Sequence, residues 1–288
     1  MNEDDRGRAE RVLSLPVRFY QIARLYGPGM PASGVEGLHR RVLEKPLGQV
    51  GLVLVHCWNL GESDGPYPIE SDAHCPGETA DWVPTAHEIV RDRIRPALDA
   101  ARRAGIAVFH LAQHTYAPKY ATYRRIVEDD GLNLPGPPSA VEGCVRPRPV
   151  EVQWADEYGA DFPGPVWVTH KDEFDIARPV RPEGDEPVIV DGWQLNGLCR
   201  RQNIDTLLYA GFMADLCLVN IPGAIREMAG KFGYRCVVLR DCTTAYEFAD
   251  TFEGGWMTLA AIRLIETGMG YSATSDDFIA ACEAIGAV

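Results

Sequence analysis

The sequence predicts an α/β protein built on a doubly wound, mostly parallel sheet flanked by helices. Three observations carry this expectation. Short apolar, β-branched runs alternate with stretches of helical periodicity, the pattern of βαβ units with parallel strands. One run, Gln49-Val-Gly-Leu-Val-Leu-Val55, is apolar without alternation, as in a central strand covered on both faces. Between Asp205 and Gly233 a buried strand, a tight turn, a cysteine and a helix follow one another before the next strand begins.

Taken in order, residues 1–48 read as an added helical arm, with Leu13, Val17, Tyr20, Ile22 and Leu25 as its apolar side, and residues 49–288 as one domain. Gln49–Val55 is its first strand. Ala86–Ala104 carries Ile89, Ile94, Leu98 and Ala101 near helical spacing, and Gly105 ends that helix. Ile106–Leu111 is the next strand. Further strands are expected at Val166–Thr169, Pro187–Val190, Thr206–Ala210 and Arg235–Leu239, and helices near Gln194–Gln202, after Cys217, near Gly255–Glu266 and near Ser275–Ala284. Two long insertions near 61–84 and 116–165 are rich in Gly and Pro and punctuated by Tyr67, Trp82, Tyr116, Tyr120, Tyr123, Trp154 and Tyr158. Loops of that length serve as lids, binding loops or subunit contacts, and a homo-oligomer, dimer or tetramer, is expected.

Composition narrows the function. A net charge of −13 repels nucleic acid and anionic membrane surfaces, so a small-molecule substrate is expected instead. No apolar run approaches the ~20 residues of a membrane span. The opening Met-Asn-Glu-Asp-Asp-Arg lacks the order of a secretory signal, so a cytoplasmic location is expected. The eight cysteines (57, 75, 144, 199, 217, 236, 242, 282) show no CxxC pairs and read as small buried hydrophobes, which argues against disulfides and a zinc ribbon.

Ligands of open α/β sheets bind beyond the carboxyl ends of the strands, where His56, His110–His114, His170–Lys171 and Cys217 fall. Cys217 stands out among them. A thiol at the start of a helix meets unpaired N–H groups and the positive end of the dipole, which lowers its pKa and makes a nucleophilic thiolate available.

Two segments suggest a relationship: Ala210-Gly-Phe-Met-Ala-Asp-Leu-Cys-Leu218, against a G-x-x-x-x-x-C-V pattern, and Gly233-Tyr-Arg-Cys-Val-Val-Leu-Arg-Asp-Cys-Thr-Thr-Ala245, against G-Y-x-V-x-V-x-x-D-A. With them the stretch from Gln49 to Ala284 resembles the isochorismatase-like cysteine hydrolases, which include nicotinamidases, N-carbamoylsarcosine amidohydrolase and ureidoacrylate hydrolases. The resemblance implies a six-stranded parallel sheet flanked by helices. It also implies cofactor-free hydrolysis of a C–N bond, in a small amide or ureido substrate, through an acyl-enzyme on Cys217. Ether hydrolysis of the isochorismate type is disfavoured, because members performing it generally lack the cysteine.

The family's working set is an aspartate after the first strand, a lysine after a middle strand, and the cysteine. Here His56 occupies the aspartate position and Trp58 that of a usual glutamine. An imidazole is a competent base for a thiol, so a Cys–His pair is expected. The same departure motivates the alternative of a catalytically silent member acting as a binding or assembly scaffold. Two positions compete for the lysine. Val166-Trp-Val-Thr-His-Lys-Asp-Glu-Phe174 nominates Lys171, the first choice, with His170 one residue out of register. Arg181-Pro-Glu-Gly-Asp-Glu-Pro-Val-Ile-Val-Asp191 matches P-x-x-G-D-x-V-I-x-K with Asp191 in the lysine position, where it would orient His56. By resemblance, the oxyanion hole uses the backbone N–H groups of Met213 and Cys217 beside a cis peptide at Phe212–Met213. Trp58, Tyr67, His114, Tyr116 and Trp193 are candidate pocket residues. No metal is expected: His110 and His114 invite one, but His74 and His87 do not reproduce the nicotinamidase spacing. Arg146, Arg148, Arg178 and Arg181 read as surface ion pairs before a carboxylate site.

Overall fold

The computed structural model describes residues 11–22, 35–71, 82–132 and 164–286. Strands β1 (Val12–Ile22), β2 (Val35–Pro46), β3 (Val50–Val55), β4 (Ala107–Leu111), β5 (Val188–Ile189), β6 (Thr206–Gly211), β7 (Arg235–Leu239) and β8 (Gly270–Ala273) form one sheet in the order β2-β1-β8-β7-β6-β3-β4-β5. From β8 to β5 every neighbour is parallel. The chain winds from β3 out to β4 and β5, then returns to the other side of β3 for β6, β7 and β8.

The parallel strands are buried on both faces, which is why they read as continuous apolar runs. On one face Leu52, Leu54, Leu208 and Val237 pack with Ile94, Leu98 and Phe278. On the other, Val53, Val55, Phe109 and Tyr209 pack with Leu195, Leu218, Ile225 and Met228. The helices are α1 (Trp82–Ile89), α2 (Arg95–Ala104), α3 (Ala121–Val127), α4 (Val166–Thr169), α5 (Gly192–Gln202), α6 (Cys217–Asn220), α7 (Ile225–Gly230), α8 (Trp256–Gly268) and α9 (Ser275–Gly286). A π turn at Val90–Ile94 joins α1 to α2, just ahead of Pro96, whose missing N–H and ring disfavour a regular helix there. Gly105 closes α2 with φ 81°. No helix among the described residues is long and apolar enough to cross a membrane.

Three expectations need correction. The arm expected to be helical supplies an antiparallel β1–β2 hairpin, which makes the sheet eight-stranded and mixed. Leu13, Leu15 and Val17 are buried while Val12, Ser14 and Pro16 are exposed, a period of two. Pro16 would also have broken a helix. Val166–Thr169 is a short helix, not a strand: Pro165 carbonyl accepts from Val168 N and Thr169 N, and Val168 faces solvent. The sixth parallel strand is β8, whose Gly-Tyr-Ser-Ala run carries little apolar signal. Leu25, His74, Cys75, Cys144, Arg146, Arg148, Trp154 and Tyr158 lie outside the described residues.

Candidate active site

The winding order places a crevice between β3 and β6, whose following loops leave in opposite directions, and this is where doubly wound sheets bind ligands. Val55 and Gly211 are register partners at the ends of these strands. Gly211 has φ 117°, and a Cβ there would stand 2.0 Å from Val55 carbonyl oxygen, so only glycine allows the approach. Phe212 N then donates to Val55 O at 2.9 Å, which fixes the start of the turn. The Phe212–Met213 peptide is cis. Met213 O accepts from Leu216 N at 3.1 Å and Leu218 N at 3.0 Å, winding the turn that presents Cys217. Met213 N–H donates to no protein acceptor among the described residues.

Cys217 is half-buried, whereas Cys57, Cys199, Cys236, Cys242 and Cys282 are buried. Burial pushes the thiols of Cys57, Cys199 and Cys282 up to about 12, and those of Cys236 and Cys242 upward too. The helix after Cys217 is shorter than expected. α6 is a single turn, separated from α7 by Ile221-Pro-Gly-Ala224, so the dipole behind the thiol is that of one turn.

His56 follows β3 with φ 47°, a backbone conformation costly for a non-glycine residue and common at functional sites. Its ring is buried and stacks on Trp58, with centroids 5.1 Å apart. Burial lowers its pKa to about 3, against a weaker opposing hydrogen bond with the Ala112 backbone. The imidazole is therefore neutral at neutral pH, and its Nδ1 has no hydrogen-bond partner among the described residues.

Around it stands an aromatic wall. Trp58 contacts Trp82 (6.1 Å) and Phe174 (5.8 Å), and Tyr116 meets Phe174 edge-on at 5.4 Å. Trp58 Nε1, Trp82 Nε1 and Tyr116 OH are buried without a partner among the described residues. This wall belongs to the core on one face of the sheet, while Cys217 packs with the core on the other. Tyr67 joins the periphery through its hydroxyl, 3.0 Å from His170 Nε2. His114 is exposed. Trp193 turns away, packing on Phe232 at 5.4 Å beneath Lys231.

Of the two competitors for the lysine position, Lys171 sits on an exposed turn after α4, not at a strand end. Asp191 follows β5 and caps α5, its Oδ1 accepting from Trp193 N and Gln194 N at 2.9 Å each. A Cβ at Gly223, in the α6–α7 loop, would lie 3.3 Å from the Asp191 carbonyl carbon, so Asp191 borders the loop that follows Cys217.

Asn59 and Trp82 are site-forming residues that sequence reasoning passed over as such. Asn59 is fully buried; its Nδ2 donates to Glu173 O and its Oδ1 accepts from Asp175 N, docking the 173–177 segment beside the chain leaving β3. A lone asparagine carries no signal for such a role; Trp82, read as a loop aromatic, opens α1. Asp215, two residues before Cys217, has a buried Oδ1 that accepts no hydrogen bond among the described residues, and burial raises its pKa. Arg178 and Arg181 pair with Asp64 at 2.9 and 3.5 Å, the surface role expected of them. Among the described residues no group of three His, Cys, Asp or Glu side chains is placed to hold a metal.

Residues 77–263 match the sequence model of the isochorismatase domain, a span that includes Asp191 and Cys217 and begins after His56. Among solved structures, a cysteine hydrolase from Pseudomonas syringae pv. phaseolicola 1448A aligns over 83% of this chain and 94% of its own, at 15% identity and TM-score 0.50, a likeness of fold. An N-carbamoylsarcosine amidase from Thermoplasma acidophilum aligns over 79% of this chain and 97% of its own, at 17% identity and TM-score 0.40. Among curated proteins, none matches.

Proposed function

This chain belongs to the isochorismatase family, and we propose that it is a cysteine-dependent hydrolase cleaving a C–N bond of a small amide or ureido substrate. The observation that carries the reading is the placement of Cys217: of the described cysteines it alone is not buried, and it follows the central strand at the crevice. In the proposed cycle the Cys217 thiol gives its proton to Nδ1 of neutral His56 as sulfur bonds to the substrate carbonyl carbon. The N–H groups of Met213 and Cys217 bear the oxyanion. The C–N bond breaks as His56 returns the proton to the leaving nitrogen, and water then hydrolyses the thioester, releasing the acid and the free thiol. Asp191, held as a helix cap, supports the loop behind Cys217.

The burial of His56 favours a second reading. An imidazole with its pKa near 3 is a weak acceptor, as a silent scaffold would tolerate, unless a forming thiolate beside it raises that value. Iodoacetamide kinetics at pH 6 separate the two, because an ordinary thiol is only about 0.3% ionised there. The hydrolase reading expects Cys217 to alkylate at least ~10-fold faster than a free thiol, and His56→Ala to remove most of that gain. Alkylation at the free-thiol rate overturns it. A fast rate lost in Asp215→Asn but kept in His56→Ala moves the base to Asp215.

A further inference from the structure

The hairpin that makes the sheet eight-stranded leaves β2 at its edge, and the outer side of β2 pairs with no strand among the described residues. A row of open N–H and C=O groups recruits another strand, so long edges are normally interrupted by a bulge or a proline. Here the register with β1 runs unbroken from Tyr20–Leu38 to Val12–Pro46, its one irregularity lying beyond, at Gln21/Ile22. Proline stands only at the end of β2. Successive side chains of the strand go to opposite faces. The odd-numbered ones are engaged within the chain: His39 stacks on Phe19, Arg41 donates to the Tyr271 hydroxyl, Leu43 is buried, and Lys45 pairs with Asp205 at 2.6 Å. The even-numbered Leu38, Arg40, Val42 and Glu44 are all exposed, Val42 by 57%. Arg40 stands cross-strand from Arg18, a like-charge pairing that costs stability. Arg18 is held by Glu266, whereas neither Arg40 nor Glu44 has an ion-pair partner among the described residues.

We propose that β2 pairs antiparallel with β2 of a second copy of this chain, about a two-fold axis at Val42, so that the sheet continues across the dimer. Outward N–H and C=O groups recur every second residue, so an axis normal to the sheet sets residues of the same parity opposite one another. Charge then selects the register. Centred on Arg40, on Arg41 or on Glu44, that residue opposes its own copy; centred on Leu43, Arg41 opposes Lys45; centred on His39, Arg40 opposes Leu38 and no opposite charges meet. Centred on Val42, Arg40 opposes the partner subunit's Glu44 and Glu44 opposes the partner subunit's Arg40, and each carboxylate offsets an Arg18–Arg40 repulsion. Val42 opposes the partner subunit's Val42, and Pro16, its register partner in β1, extends the apolar row on each side. Edge charges that only protected β2 would repel in every register; these attract in one.

Sedimentation velocity of the full chain tests the pairing, with a dimer of dissociation constant below ~10 μM expected. The two-fold axis doubles every substitution, so Arg40→Glu and Glu44→Arg each turn two attractive pairs into repulsive ones and should weaken the dimer about tenfold or more. The double variant Arg40→Glu/Glu44→Arg restores opposite charges and should return the constant to within ~3-fold of the parent's. Within one chain Arg40→Glu sets an acid opposite Arg18 and Glu44→Arg faces Ser14, so the hairpin tolerates both, and far-UV circular dichroism checks the fold. Val42→Cys, oxidised by glutathione disulfide, should link to its own copy at position 42, whereas Leu38→Cys, set opposite Pro46, should not. If a further interface makes the parent a tetramer, the single variants reduce it to dimers and the double variant regains it. A monomer at ~100 μM, or self-association unmoved by either single variant, overturns the proposal. Loss in the single variants without recovery in the double, or linkage through position 38 instead of 42, overturns the register and the proposal with it.

Discussion

Replacing His56 with glutamine removes one buried imidazole, and the consequence for stability follows from its surroundings. The folded protein holds His56 at a pKa of about 3, by burial, against an ordinary value of 6.5. The neutral ring is thus favoured by the fold, and the unfolded chain takes up the proton first. Stability is unaffected above 6.5, falls as pH drops through the window from 6.5 to about 3, and is flat again below it. Each pH unit inside that window costs about 1.4 kcal/mol, so His56 alone removes about 2 kcal/mol between pH 7.5 and pH 5. Urea unfolding of both proteins at the two pH values isolates this term. Other acid-sensitive groups, such as His110, whose pKa burial also lowers, are common to both and cancel in the double difference. His56→Gln is expected to lose about 2 kcal/mol less than the parent chain on acidification. An identical loss in the two proteins would show that His56 is solvated, and the stacked, buried ring described here would be wrong.

Gly211→Ala should lower stability by ~3 kcal/mol or more, because the added Cβ would stand 2.0 Å from a main-chain oxygen at a φ of 117°; an unchanged urea midpoint refutes the close approach of β6 to β3. Leu15→Ala should cost ~2–5 kcal/mol, since Leu15 is fully buried in β1; a loss below ~0.5 kcal/mol, typical of surface positions, would mean the hairpin does not share the main core. Brief alkylation of the native protein followed by peptide mapping should label Cys217 and spare Cys57, Cys199, Cys236, Cys242 and Cys282, whose thiols are buried and raised in pKa. Labelling of Cys199 or Cys236 ahead of Cys217 would contradict the placement of α6. Cys217→Ala should abolish turnover of any substrate found with the fold intact, measured by activity and thermal unfolding together.

The candidate site was legible where its chemistry depends on chain order. Cys217 after an apolar strand and His56 after another are read directly from adjacent residues, and parallel pairing then brings the two strand ends together. Choosing between Lys171 and Asp191 required knowing which segment forms a strand. Val-Trp-Val-Thr has the residue types of a strand, yet its exposure and the Pro165 carbonyl make it a helical turn, while the two-residue β5 is fixed by pairing with β4. The aromatic candidates divided for the same reason: Trp58 and Tyr116 pack together around Phe174, whereas Trp193, one residue into α5, is carried to Phe232.

By itself, then, the order of residues determined the parallel strands β3, β4, β6 and β7, the glycine stop after α2 and the position of Cys217 after β6, because each depends on local runs, turn residues and burial on both faces. The hairpin was less legible, since Leu13 and Val17 satisfy helical and strand periods alike; Pro16, which a helix interior would not tolerate, and the packing of Leu15 against the core decide for the strand. The tertiary structure alone decided the charge state of His56, set by what surrounds the ring. Desolvation is a property of neighbours in space, and no one segment of sequence carries it.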